Sequence, residues 1–233
     1  MERLLRLEGA GRSYSGEGGS APVVALADVS LHFDAGQFVA LVGRSGCGKS
    51  TLLNLAGAMD FPTQGKVWIG DSETSRLTDA ALTTLRRTRI GFVFQFFQLL
   101  PTLTVAENVE LPALLAGVAG ARAKAMERLE WVEMAALAAR FPHQLSGGQM
   151  QRVAIARALV NSPSLVLADE PIGNLDTATG TIVLDLLARA AREQGALVMM
   201  ATHSAESTRH CDTIIRLRDG RVESVDDRRR EGL

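Results

Sequence analysis

The chain has 233 residues, 46% of them hydrophobic and 22% charged, with a formal net charge of −1. That balance supports a substantial buried core and excludes disordered and fibrous classes. The near-zero charge gives no overall field toward nucleic acid or an anionic membrane surface, so no nucleic-acid partner is expected.

No run approaches the ~18 apolar residues that span a bilayer. The segment Met1–Glu8 is charged throughout and lacks the apolar centre of a signal peptide, so a cytoplasmic location is expected. Cys47 and Cys211 have no metal-ligand spacing and are read as reduced thiols. The run Arg228-Arg229-Arg230, which follows Asp226-Asp227, reads as a solvated tail.

In chain order, Val29–Phe33 alternates as a half-exposed antiparallel strand does, and so does Lys66–Ile69. Between them Val39–Val42 is a short apolar strand, followed by a Gly-rich loop and a helix through Thr51–Ala56. From about Thr88 to Asn161 helical patterns dominate, including the Ala-rich segment Arg122–Arg140 and the run Gln149–Val160. Two further apolar strands, Ser164–Ala168 and Ala196–Ala201, flank a helix over Thr177–Arg192. Uninterrupted apolar strands are covered on both faces, as in a parallel sheet. The predicted architecture is α/β: a sheet domain (1–87 and 162–233) with an antiparallel β subdomain and an inserted α-helical subdomain (88–161).

Polar residues follow all three apolar strands, where open α/β sheets bind ligands. Gly43-Arg44-Ser45-Gly46-Cys47-Gly48-Lys49-Ser50 fits G-x-x-x-x-G-K-[ST], the phosphate-binding loop of P-loop NTPases. Its glycines let backbone N–H groups wrap a phosphate, and the helix from about Lys49 adds its positive end. Lys49 is then placed on the β- and γ-phosphates and the Ser50 hydroxyl on Mg²⁺, with Thr51 beside it. Leu165–Ala168 ends in Asp169-Glu170, an acid for Mg²⁺ and, pointing to the opposite side, one to polarise the attacking water. Leu145-Ser146-Gly147-Gly148-Gln149 opens a second helix, with Ser146 as cap and the glycines leaving N–H groups for an anion.

Together the phosphate loop, LSGGQ at Leu145–Gln149 and LVLADEP at Leu165–Pro171 resemble the ATP-binding subunits of ABC transporters, from about Leu4 to Val222. The resemblance implies ATP and Mg²⁺ as ligands. It implies that Tyr14 stacks on adenine, that Gln95 touches Mg²⁺ and water, and that His203 contacts the γ-phosphate. Asn174-Leu175-Asp176 resembles the loop that crosses the dimer interface. It also implies a head-to-tail pair of copies, each ATP lying between the phosphate loop of one and Ser146–Gln149 of the other. A separate membrane permease is implied as partner, with this chain peripheral on the inner face of the cytoplasmic membrane.

Gly91–Gln95, Leu99-Leu100-Pro101, Leu103–Val109 and Gly173–Asp176 are similar to the lipoprotein-releasing and macrolide-exporter branch, and to a cell-division ATPase. Ile172, where that branch commonly has Thr, and Phe96-Phe97 depart from it. Export or lipoprotein extraction is therefore one expectation, and mechanical regulation of the envelope through a permease-like partner is the other. A nucleic-acid or ribosome machine is disfavoured, because such proteins carry two fused cassettes or a long coiled-coil insertion. Phe92–Phe94 is expected as strand core, and Phe97, Leu99 and Leu100 as an exposed apolar groove for a permease helix.

Overall fold

The computed structural model describes residues 3–15, 21–204 and 207–228. Met1-Glu2 and Arg229-Arg230, invoked above, lie outside them.

Two sheets form the frame. The smaller is antiparallel in the order β2-β1-β4-β5, built from β1 (Arg3–Tyr14), β2 (Val23–Asp34), β4 (Gln64–Ile69) and β5 (Ser72–Glu73). The larger has six strands, β10-β9-β3-β8-β7-β6. Its members are β3 (Phe38–Val42), β6 (Ile90–Phe94), β7 (Leu165–Asp169), β8 (Leu197–Thr202), β9 (Thr213–Arg218) and β10 (Arg221–Asp227). All its pairings are parallel except the β9–β10 hairpin.

The apolar runs alternate between two cores. Val166, Ala168, Val198 and Met200 face the helical side. Leu165, Leu167, Leu197, Met199 and Ala201 face α1 (Lys49–Ala56) and the small sheet. Both faces of β7 and β8 are buried, which is why their sequences show no polar alternation.

Of the segment 88–161, Ile90–Phe94 pairs with β7 in the large sheet, and α-helices begin only at Val105. They are α3 (Val105–Leu115), α4 (Ala121–Trp131) and α5 (Gly147–Leu159). The Ala-rich stretch to Arg140 is thus not one helix. α4 stops at Trp131 because Glu133 turns left-handed (φ 60°) and Met134 N–H donates back to Leu129 O at 2.7 Å. α2 (Asp79–Arg89) and α6 (Thr177–Gln194) complete the set.

Asp226 and Asp227 are the last residues of β10. Arg228 continues the fold, its guanidinium donating to Thr208 O at 2.9 Å.

Candidate nucleotide site

The strand order decides the site. β3, β8 and β7 are neighbours in parallel register, so the loops after their carboxyl ends meet on one edge of the sheet. There a 440 Å³ cleft is lined by Ala25, Ser45, Gly46, Gly48, Lys49, Ser50, Thr51, Gln95, Asp169, Glu170 and His203.

The floor of the cleft is the start of α1. α1, like α4, has neither a side-chain cap nor an acidic residue in its first turn, whereas Thr78, Thr104, Ser146 and Asp176 cap α2, α3, α5 and α6. Its orphan N–H groups therefore face the cleft with the positive end of the helix behind them. Gly48 precedes it at φ 103°, where a Cβ would lie 2.6 Å from Ala25 O. Only a glycine lets the loop pass β2 this closely.

Lys49 is 9% exposed and forms no ion pair among the described residues. Its ammonium donates to Gly43 O at 2.8 Å and Arg44 O at 3.3 Å. A buried cation without a carboxylate partner is costly, and a phosphate seated on the loop supplies the missing charge. The remaining phosphate-loop residues, Gly43, Arg44 and Cys47, with Ser45 and Gly46, wall a second 530 Å³ cavity against Arg216 and Arg218.

Asp169 and Glu170 enter the cleft from the end of β7. Both line it, which corrects the expectation that Glu170 points to the opposite side. Glu170 adopts φ 47°, so the strand alternation that would have sent it away stops at Asp169. Such a backbone in a non-glycine residue is strained. It is pinned by two bonds, Glu170 N–H to Ala201 O and Gly173 N–H to Glu170 O, both 3.0 Å. His203 Nδ1 lies 2.9 Å from Glu170 Oε2, although the imidazole is 71% exposed and the carboxylate 18%.

Gln95 reaches the cleft from the end of β6 and is tied to Asn174: its Nε2 donates to Asn174 Oδ1 at 3.5 Å, and Asn174 Nδ2 donates to Gln95 O at 3.3 Å. Ser50, Gln95 and Asp169 offer oxygen donors of the kind a hard divalent cation takes. Among the described residues no group of three or more His, Cys, Asp or Glu could hold a metal by itself. A cation here fits only with phosphate oxygens completing its shell.

Two expected contributors lie elsewhere. Tyr14 is not in the cleft lining. Arg12 covers one face of its ring with the guanidinium 4.7 Å from the centroid, and its hydroxyl donates to Asp60 at 2.8 Å. Ser146, Gly147, Gly148 and Gln149 also do not line the cleft. They start α5, where Ser146 Oγ accepts from Gln149 N–H at 3.3 Å and Gln149 Oε1 accepts from Ser146 N–H at 2.9 Å. This closed capping box leaves Gly147 and Gly148 at the helix tip. Ala25 is a lining residue that sequence reasoning missed, since a lone alanine in a strand carries no signal.

The segment after Gln95 departs from expectation. Phe97 and Gln98 are left-handed (φ 58° and 51°), and the Arg157 guanidinium donates to both their carbonyls, at 2.8 Å for Phe97. Burial pushes the Arg157 pKa down. The turn folds Phe97 toward Gly147, and Leu99 packs on the helical core. Leu100 is exposed as expected. Phe96 (67% exposed) and Phe94 are exposed instead of Phe97 and Leu99, so Phe94 is not strand core.

A family model described as "ABC transporter" matches residues 26–173, well over half of the chain. The chain belongs to the ABC transporter family. It is 44% identical to the lipoprotein-releasing system ATP-binding protein LolD of Hyphomonas neptunium, over 95% of this chain and 97% of that one. It is also 44% identical to a probable export ATP-binding/permease protein MacB of Pseudomonas entomophila, covering 97% of this chain and 33% of that longer protein. Among solved structures, an ATP-binding cassette of Methanocaldococcus jannaschii, dimeric in a post-hydrolysis state with ADP and Pi, superposes with a TM-score of 0.87. The identity there is 43%, over 96% of this chain and 98% of the other. This ABC cassette is an α/β ATPase that binds ATP. Among its described residues no helix is long and apolar enough to cross a membrane.

Proposed function

We propose that this ABC ATPase binds Mg²⁺-ATP in the cleft above α1 and completes the site with Ser146–Gln149 of a second copy. The observation that carries the reading is the split of the site. Lys49, Asp169, Glu170 and His203 converge on one cleft, while Ser146–Gln149 at the glycine-tipped start of α5 do not line it.

In this reading the phosphate-loop N–H groups and Lys49 hold the β- and γ-phosphates. Ser50, Gln95 and Asp169 would supply oxygen donors to Mg²⁺, which would neutralise charge on the phosphates. Glu170 takes the proton of a water in line with the γ-phosphate, and His203, held by Glu170, hydrogen-bonds the γ-phosphate. Tyr14 stacks on adenine once Arg12 is displaced from its face. The products are ADP and phosphate.

Within 88–161 the residues after β6 form the lobe that carries the signature, and 1–87 with 162–233 form the ATP-binding core, which β6 joins. The partner is a separate membrane permease, and the cassette is peripheral to the cytoplasmic face of that membrane. The work done is export or lipoprotein extraction, a reading supported by the likeness to LolD and MacB. Phe94 and Leu115, both exposed, line a 320 Å³ groove with Leu111 and Pro112 that suits an apolar helix of the permease.

The test is the oligomeric state of Glu170→Gln with and without ATP, by light scattering. A dimer with ATP and a monomer without it support the composite site. A chain that binds ATP and stays monomeric contradicts it.

A further inference from the structure

Gln151 lies on the second turn of α5, beyond Ser146–Gln149, and has no exposed surface. Its Nε2 donates to Pro171 O at 2.7 Å and to Phe94 O at 3.3 Å. Its Oε1 is buried with no partner among the described residues. Turning the amide over would set Oε1 against two carbonyl oxygens, so the two acceptors fix its orientation. A fully buried amide with an orphan acceptor is a poor choice for packing alone, because a leucine of similar volume carries no desolvation cost.

The two carbonyls are not arbitrary. Pro171 directly follows Glu170, the strained residue at the water-polarising position, and Phe94 directly precedes Gln95. The same helix grips the other side of Gln95 through Arg157, which donates to the carbonyls of Phe97 and Gln98. One helix thus begins at Ser146–Gln149 and makes polar contacts to both segments that carry Gln95 and Glu170 into the cleft.

We propose that Gln151 is a positioning residue: it fixes the signature helix to the backbone beside Glu170 and beside Gln95, so that docking of the helix tip on ATP aligns both together. This rests on the ATPase reading above. Gln151 does not itself touch nucleotide, so its loss acts on turnover and leaves ATP binding to the phosphate loop.

The test uses the full chain and two variants. Gln151→Met removes both donors at nearly constant volume. Gln151→Glu keeps one donor, because burial favours the protonated acid. Turnover is divided by the number of sites titrated with a fluorescent ATP analogue, so that loss of folded protein does not count as loss of rate. For Gln151→Met turnover per site falls roughly tenfold with ATP affinity kept within about twofold, and Gln151→Glu falls between it and the parent. Combined with Gln95→Ala, the loss is smaller than the product of the two single losses, as for residues acting through one contact.

Unchanged turnover per site with a lowered melting temperature overturns the proposal and leaves Gln151 a packing residue. So does a fully multiplicative double variant. If Gln151→Met does not fold, Gln151→Glu decides, and parent-like turnover per site overturns the proposal. A parent chain that binds ATP without hydrolysing it overturns the ATPase reading, and this inference with it.

Discussion

Glu170 Oε2 and His203 Nδ1 stand 2.9 Å apart across the ends of β7 and β8. The contact exists because Glu170 leaves the strand at φ 47° and turns its carboxylate back into the cleft. The acid is thereby oriented by the imidazole, which is the arrangement a general base and its positioning partner need.

Glu170→Gln keeps the volume and removes the proton acceptor. Turnover should fall by about 10²–10⁴-fold with ATP affinity retained. Steady-state hydrolysis and nucleotide titration on the same sample check this. Unchanged turnover removes Glu170 from the role.

Lys49→Ala deletes the buried cation beside the phosphate loop. The expected loss is about 1.5–3 kcal/mol of ATP binding, the range for a hydrogen bond to a charged group. Calorimetric titration reads it. Unaltered affinity means the loop does not hold the phosphates.

Gly148 touches α6 directly: a Cβ there would lie 2.1 Å from Thr179 Cγ2. Gly148→Ala should therefore cost about 1–3 kcal/mol of stability through overpacking. Thr179→Ser removes the offending methyl and keeps the hydroxyl that donates to Asp176 at 2.7 Å. The double variant should recover most of the melting temperature, and no recovery would place the clash elsewhere.

Asp176 caps α6, and the N–H and hydroxyl of Thr179 hold its carboxyl below the ordinary value. A depressed folded-state pKa stabilises above the ordinary carboxylate pKa of about 4 and is lost as pH falls through the lowered value. The stability difference between the parent and Asp176→Ala should be flat from pH 7 to about 4 and shrink below it. Thermal melts across that range test the sign.

Burial pushes the Cys211 thiol up to about 12, with Asp212 adding to the effect. Almost no thiolate exists at pH 8, so iodoacetamide should leave Cys211 unmodified in the native chain and modify it after denaturation. Mass spectrometry of the alkylated peptides distinguishes the two.

Sequence legibility followed the range of each contact. The phosphate loop, Asp169-Glu170 and the Ser146 cap are runs of adjacent residues, so their chemistry shows in spacing alone. The alternation of β7 and β8 between two cores likewise shows as an apolar run. What stayed hidden depends on partners far along the chain. Phe97 turns inward because Arg157, 60 residues on, captures its carbonyl. Glu170 lines the cleft because of one left-handed backbone angle that no residue type announces. Tyr14 was visible as an aromatic, but its partnership with Arg12 and Asp60 was not.

The central claim is that one ATP site needs two copies of the chain. Lys49→Ala and Ser146→Arg, each inactive alone, should regain turnover when mixed. Half of the randomly formed pairs then carry one intact site of two, giving about a quarter of the parent rate. No gain on mixing, or full turnover by Ser146→Arg alone, would contradict the account.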